Sequence, residues 1–209
     1  MKRMPAKVTV NETDAQLNQI ESEESFSQNQ CFDTQQVDQE EFVGSYFKEV
    51  IFKNCVFNEV NFVRLSLHNV IFDHCELLNS ELIGAGMQRV EFQNCKLTGS
   101  NFADSVLQDC LFDNCKADYT SFSGAKFKRI NFQNSNLMSA DFSFLNWQQL
   151  EFNACQLTAV NFLSTGLARL KLKSNQIDGV KVTAQSLVGL IVAPEQAVDL
   201  LMAIGVKVD

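Results

Sequence analysis

Residues 92–112 read FQNCKLTGSNFADSVLQDCLF, which places an apolar side chain at Phe92, Leu97, Phe102, Leu107 and Phe112. Stepping outward by five, the same beat runs from Phe42 to Leu187 through thirty sites without one polar residue, and Phe32 and Val37 extend it backwards. Fifteen of the eighteen phenylalanines fall on these sites, in a chain that is 45% hydrophobic overall, so chance does not account for it. Neither a helix, with a period near 3.6, nor a strand, with a period of 2, fits a strict five.

The site two residues before each central one is restricted as well. It holds Cys55, Val60, Leu65, Val70, Cys75, Ser80, Ala85, Val90, Cys95, Ser100, Ser105, Cys110, Cys115, Thr120 and Ala125, mostly small or β-branched, while the three remaining positions are mostly polar. Two inward sites in five residues describe one short extended step and one corner. Four steps close a square turn of twenty residues, so each central side chain stacks on the one twenty residues later, with coils about 4.8 Å apart through parallel β bonding. The fold expected is all-β: a right-handed quadrilateral parallel β-helix with a short C-terminal capping or dimerisation helix.

The columns agree. Phe52, Phe72, Phe92, Phe112, Phe132 and Phe152 form one ladder, and Phe62, Leu82, Phe102, Phe122, Phe142 and Phe162 a second. Phe57, Leu77, Leu97, Ala117, Leu137 and Leu157 make a smaller column, and Phe47, Leu67, Met87, Leu107, Phe127 and Trp147 complete the square. The second inward site is small because bulk there would overpack an interior the central side chains already fill. Roughly eight coils give a rod of about 40 Å, with no insertion breaking the register.

The organisation expected is an acidic N-terminal arm or cap over 1–28, the repeat body over 29–192 and a terminal module over 193–209. In the module, Pro194 suits a first helical position, Glu195 the helix dipole and Gly205 the stop. Ala197, Leu200, Leu201 and Ile204 are expected on one face, which covers either the last coil or a second copy of the chain. Val206-Lys207-Val208 adds a short strand in this reading. Asn11 to Glu24 reads as a short helix or a loose acidic arm. Ile51, Ile71 and Leu111 are apolar yet outward, one site before the phenylalanine ladder; they are covered by the arm, covered by a partner, or merely exposed β formers.

The net charge of −8 is uneven: residues 1–41 carry nine acids and three bases, 42–118 ten and six, and 119–192 three and seven. The molecule is thus acidic towards its N-terminus and basic further along, with a patch at Lys126, Lys128 and Arg129. With no apolar run of about 18 residues and no signal-peptide pattern at the start, no membrane span is expected and the cytoplasm is the default compartment.

Catalytic chemistry finds no home. Six of the seven cysteines, Cys55, Cys75, Cys95, Cys110, Cys115 and Cys155, sit at the small inward site and read as packing thiols; no C-x-x-C pair suggests zinc. His68 and His74 are outward, and His74 faces away from the adjacent Cys75. Gly84-Ala85-Gly86 lacks the strand-to-helix setting of a phosphate loop. Scattered carboxylates on a convex rod lack the cleft that acid–base catalysis needs. No enzyme, cofactor, metal, nucleic acid or small-molecule substrate is expected.

Ser100-Asn101-Phe102-Ala103-Asp104 and Ala140-Asp141-Phe142-Ser143-Phe144 resemble the A(D/N)LXX unit of the pentapeptide-repeat family. A narrower resemblance, to the Qnr fluoroquinolone-resistance proteins and especially chromosomal Gram-positive forms, rests on residues 95–104, on 109–119 and on the tail from Pro194 to Gly205. It implies a C-terminal homodimer, a doubled rod about 80–100 Å long. It also implies binding to the type II topoisomerases DNA gyrase and topoisomerase IV by mimicry of DNA, which protects them from quinolones. The acids that would stand in for phosphates are Glu59, Asp73, Glu76, Glu81, Glu91, Asp104, Asp109, Asp113 and Asp118. Two departures leave a different protein partner as the alternative: no projecting loop is inserted, and the repeat body is neutral overall. In that case the chain is a repeat scaffold or an immunity factor.

Overall fold

The computed structural model describes residues 2–11, 15–17 and 24–208. The repeat winds as a parallel solenoid. Its strands are β1 (Phe26–Gln28), β2 (Cys31–Asp33), β3 (Gln36–Asp38), β4 (Glu41–Val43), β5 (Tyr46–Lys53), β6 (Val56–Asn58) and β7 (Asn61–Val63). Then follow β8 (Ser66–Asp73), β9 (Glu76–Leu78), β10 (Gly86–Gln93), β11 (Val106–Gln108), β12 (Leu111–Asp113), β13 (Lys126–Gln133) and β14 (Asn146–Asn153). One sheet stacks β5, β8, β10, β11 with β12, β13 and β14, and a second runs β3, β6, β9. The register is twenty throughout: Phe52 pairs with Phe72, Phe72 with Phe92 and Phe92 with Phe112. Where the strands shorten to single bridges the step persists, as in Glu81–Asn101–Ser121–Asp141–Asn161–Lys181.

The interior is the one the five-residue beat requires. Phe92, Phe102, Phe112, Phe122, Phe132 and Phe142 are fully enclosed. Along the main ladder, successive rings stack 4.8 Å apart from Phe52 to Phe72, 4.8 Å from Phe72 to Phe92, 4.9 Å to Phe112 and 4.5 Å to Phe132. The strand spacing alone sets that separation. Rings of the neighbouring ladder meet them edge-on, Phe102 against Phe112 at 87° and Phe132 against Phe142 at 90°, an arrangement the ring quadrupoles favour.

The second inward site does more than stay small. Its hydroxyl or thiol donates to the carbonyl of the central residue 23 positions earlier: Ser105 Oγ to Leu82 O at 2.9 Å, Thr120 Oγ1 to Leu97 O at 2.9 Å, Cys75 Sγ to Phe52 O at 3.3 Å and Cys115 Sγ to Phe92 O at 3.4 Å. The cysteines are free thiols in the core. Burial pushes the thiols of Cys95, Cys110 and Cys155 up, Cys110 to about 12, so they stay neutral.

Corners follow a rule of their own. The residue two places after the central one adopts a left-handed conformation from Asn29 to Arg169, as at Asn54 (φ 51°), Asn94 (φ 57°), Asp104 (φ 57°) and Asn114 (φ 53°). Asn and Asp tolerate that region because their side chains bond locally. Bulkier residues there, Tyr119 (φ 59°) and Phe144 (φ 55°), cost about 1–3 kcal/mol each and are held by the rungs on either side. Gly99 and Gly124 are needed beyond their positive φ, since a Cβ would collide with the side chains of Asn79 and Asp104 beneath them.

Three expectations need correction. Trp147 is only half-buried, because its indole turns outward and Nε1 donates to Gly166 O at 2.8 Å. The first strand, Phe26–Gln28, lies inside the stretch assigned to the N-terminal arm. Residues 206–208 form no strand. The expected helix or loose segment from Asn11 to Glu24 lies largely outside the described residues, although Ala15 and Leu17 are buried.

Phe112→Ala is expected to lower stability by about 3–5 kcal/mol in urea melts, since the packed ladder cannot collapse into the void. Native protein should leave at least six of its seven thiols unreactive towards a thiol-specific reagent, and all seven should react in denaturant.

Candidate partner-binding surface

The solenoid holds its outward side chains in straight columns twenty residues apart. Exposed acids in these columns alternate with amides that donate to them. Asn61 Nδ2 donates to Glu41 Oε2 at 2.7 Å, Asn101 Nδ2 to Glu81 Oε2 at 2.8 Å and Asn161 Nδ2 to Asp141 Oδ1 at 2.9 Å. Gln39 Nε2 donates to Glu59 Oε2 at 2.8 Å, whereas Gln93, between Asp73 and Asp113 in its column, turns its amide to Glu91 Oε2 at 2.9 Å. Acids in one column are thus two coils apart, about 9.6 Å by the strand spacing, and their mutual repulsion is reduced.

The nine candidate acids do not form one surface. Glu59 and Asp104 are exposed, and Asp73, Glu81 and Asp113 are half-buried at the edges of columns. Glu76 is paired with Lys96, with Nζ to Oε1 at 2.5 Å. Asp118 is buried and accepts from Thr98 Oγ1 at 2.8 Å. Glu91 and Asp109 are buried too, at 7% and 0% exposure. These last three are removed from the set of surface acids, because their oxygens already serve the fold.

What buries Glu91 and Asp109 is the chain's own beginning. Residues 2–11 run along the solenoid, counter to its winding direction. Met4 N donates to Asp109 Oδ1 at 3.0 Å, Ala6 N to Glu91 Oε1 at 3.0 Å, Lys7 N to Asn69 Oδ1 at 3.4 Å and Asn11 N to Asn29 O at 2.9 Å. Arg3 Nη1 adds an ion pair to Glu91 at 2.9 Å. The arm lies over the column of outward apolar residues, with Leu111 at 8% exposure and Ile51 and Ile71 half-buried. Of the two covers anticipated for that column, the arm is the one observed.

Arg129 is likewise withdrawn from the basic patch. Its Nε and Nη2 both reach Asp109 at 2.6 Å, a two-pronged pair with the side chains 9% and 0% exposed. Burial pushes the Asp109 carboxyl up, but the Arg129 fork and the Met4 amide outweigh it and hold the group below its ordinary value. Burial, together with the charges of Arg89 and Lys48, lowers His68. His68 and Arg89 are in close contact, whereas His74 is exposed beside Asp73.

At the other end, Pro194 opens a 3-10 turn that leads into α1 (Ala197–Ala203). Gly205, at φ 88°, ends it: Gly205 N donates to Met202 O at 3.0 Å and Val206 N to Leu201 O at 2.9 Å, a Schellman closure. Gln196 pins the cap through Nε2 to Leu172 O at 2.9 Å and to Asn175 O at 2.7 Å. The face expected for dimerisation is split. Leu200 is buried and Ile204 half-buried against the last coil, while Ala197 and Leu201 point outward. Val198, Leu201 and Met202 leave 42%, 41% and 54% of their surface exposed. Sequence reasoning placed Ala197 and Leu201 with Leu200, because a turn this short presents two narrow faces rather than one wide one.

Among the described residues no helix is long and apolar enough to cross a membrane and no cluster of potential metal ligands occurs. A parallel β-solenoid with twenty residues per turn, an enclosed aromatic ladder and a polar exterior defines a repeat-rod class of protein. The pentapeptide repeat region model matches residues 45–122 and 85–162, and the chain belongs to the pentapeptide-repeat family. Comparison with characterised protein sequences gives no match. Among solved structures, full-length QnrB1, a plasmid-mediated fluoroquinolone resistance protein, is similar at 16% identity, over 97% of this chain and 99% of that one, with a TM-score of 0.44. HetL, a pentapeptide repeat protein involved in heterocyst differentiation regulation from the cyanobacterium Nostoc, is similar at 13% identity, over 86% of this chain and 84% of that one, with a TM-score of 0.43. A pentapeptide repeat protein from the Arabidopsis thaliana thylakoid lumen is similar at 21% identity, over 54% of this chain and 72% of that one, with a TM-score of 0.35.

The Asp109–Arg129 pair gives stability that is complete above the ordinary carboxylate pKa of about 3.9 and is lost as pH falls through the lower native value. Asp109→Ala should therefore lower the urea midpoint at pH 7. It should also flatten the fall in that midpoint as the pH drops below about 4.

Proposed function

We propose that this chain is a non-enzymatic, DNA-mimicking protein that binds type II topoisomerases, DNA gyrase and topoisomerase IV, and shields them from quinolones. The observation that carries the reading is the set of acids held in straight columns on a rigid rod. Glu59, Asp73, Glu81, Asp104 and Asp113 have surface to offer, and amide donors from Gln39, Asn94, Asn101 and Asn134 meet four of them, Glu59, Asp73, Glu81 and Asp113. A protein surface built to hold a polyanion responds to such a display. The Qnr-like segments at 95–104, 109–119 and 194–205 point the same way.

In this reading the rod acts as a homodimer joined through the outward face of α1, by Ala197, Val198, Leu201 and Met202, while Leu200 and Ile204 seat the cap. The work is done in the cytoplasm, where the target enzymes are. A second reading, a scaffold or immunity factor for another protein, is favoured by one specific observation: the chain's own arm neutralises Glu91, and Arg129 neutralises Asp109, so one face of the rod offers no free acid row.

The protein should restore gyrase supercoiling in the presence of ciprofloxacin, and more weakly at higher salt. Reversing Glu59, Asp73, Glu81 and Asp113 together to lysine should abolish the relief. No relief by the parent protein over a wide concentration range would sink the reading in favour of the scaffold. In light scattering, Leu201→Arg with Met202→Arg should halve the mass of the particle without loss of fold, whereas Leu200→Arg should loosen the last coil.

A further inference from the structure

The solenoid is parted along one face. At each lower boundary of the main sheet the same backbone bonds recur: Lys126 N to Ser105 O at 2.8 Å, Asn146 N to Ala125 O at 3.0 Å, Asn131 N to Cys110 O at 3.1 Å and Asn134 N to Asn153 O at 2.9 Å. Between β14 and residues 166–173 their equivalents are not made. Gly166 N does not donate to Leu145 O, nor Lys171 N to Leu150 O, nor Ala154 N to Lys173 O. β14 pairs with β13 alone. One coil later the ladder resumes, with Arg169 N to Gly189 O at 2.8 Å and Leu172 N to Ile191 O at 2.9 Å.

The parting is confined. At its two corners Leu145 N donates to Thr165 Oγ1 at 2.9 Å and Cys155 N to Asn175 Oδ1 at 2.8 Å, and the other faces keep their bridges, Gln156 to Gln176 and Asn161 to Lys181. The half-buried Trp147 sits between the separated coils with Nε1 on Gly166 O, and a Cβ added at Gly166 would meet open space. The cleft measures about 1340 Å³, above the range of small-molecule pockets. Its lining includes the cations Lys2, Arg169 and Lys171 against the single acid Glu151.

A gap between two parallel strands, with Ala154 N, Leu145 O and Leu150 O open on one lip and Gly166 N, Lys171 N and Lys173 O on the other, is completed by a third strand. We propose that this cleft docks an extended acidic peptide from another protein, added as a parallel strand between β14 and residues 166–173. Its backbone pairs with both lips, one side chain lies on the Trp147 indole, and its carboxylates meet Arg169, Lys171 and Lys2. The site is separate from the acidic columns and does not depend on topoisomerase binding.

Trp147 is the chain's one tryptophan, so its fluorescence reports on the cleft alone. The probe is a capped octapeptide of alternating Glu and Val, compared with the same peptide N-methylated at alternate amides and with a Lys–Val counterpart. Titration of the full chain should give a saturable Trp147 change with the Glu–Val peptide. Binding should be at least tenfold weaker for both control peptides and for the doubly substituted Arg169→Glu, Lys171→Glu protein, whose substituted side chains are exposed. Hydrogen exchange of the free protein should be fast at Gly166, Lys171 and Ala154 relative to Asn146, Asn131 and Asn134, and should slow at those three on binding. The proposal is overturned by no fluorescence response, by equal binding of the N-methylated peptide, or by amides already slow in the free protein. It is equally overturned by a concentration-dependent Trp147 change without peptide, which would place a second copy of the chain in the cleft.

Discussion

Everything in this molecule depends on the vertical spacing of parallel strands. With coils held about 4.8 Å apart by backbone bonds, side chains twenty residues apart lie directly above one another, and stacked phenylalanine rings fill the space between two coils. The ladder from Phe52 to Phe132, with rings 4.5 to 4.9 Å apart, sits at that spacing. Larger side chains at the second inward site would force the walls outward. Small ones with a hydroxyl or thiol fit, and they also satisfy a buried carbonyl, which explains why Ser, Thr and Cys are preferred there over Ala alone.

The same regularity organises the exterior. Because the register does not slip, a charge at one position reappears above itself, and a row of like charges would repel at every coil. The rod avoids this by alternating acids with amides, as in Glu41–Asn61–Glu81–Asn101, or by pairing, as in Glu76 with Lys96 and Asp109 with Arg129. Lys96 and Lys116, stacked directly in one column, are the exception, and a partner that reads this surface meets a mostly spaced pattern.

Both ends and one face depart from the repeat. The arm over Leu111 and Glu91 solves an exposed apolar column with the chain's own residues. The cap at Gln196 and Leu200 seals the last coil and leaves Val198, Leu201 and Met202 outside. At Trp147 the half-buried indole bonds to Gly166 O, and the adjoining coil is parted there.

The sequence by itself determined the fold, because a five-residue period with two inward sites admits one closed path for the backbone, and the columns could be written down from residue numbers alone. It also determined the capping turn, since Pro194 and Gly205 act through local backbone geometry. It did not determine which acids remain at the surface. Glu91, Asp109 and Asp118 carry the same letters as Glu59 and Asp104, and only the path of residues 2–11 and the partners Arg129 and Thr98 withdraw them. The parted face belongs to the same class. Trp147 keeps the five-residue beat, and its half-buried place beside the parted face is set by packing in three dimensions and not by the order of residues along the chain.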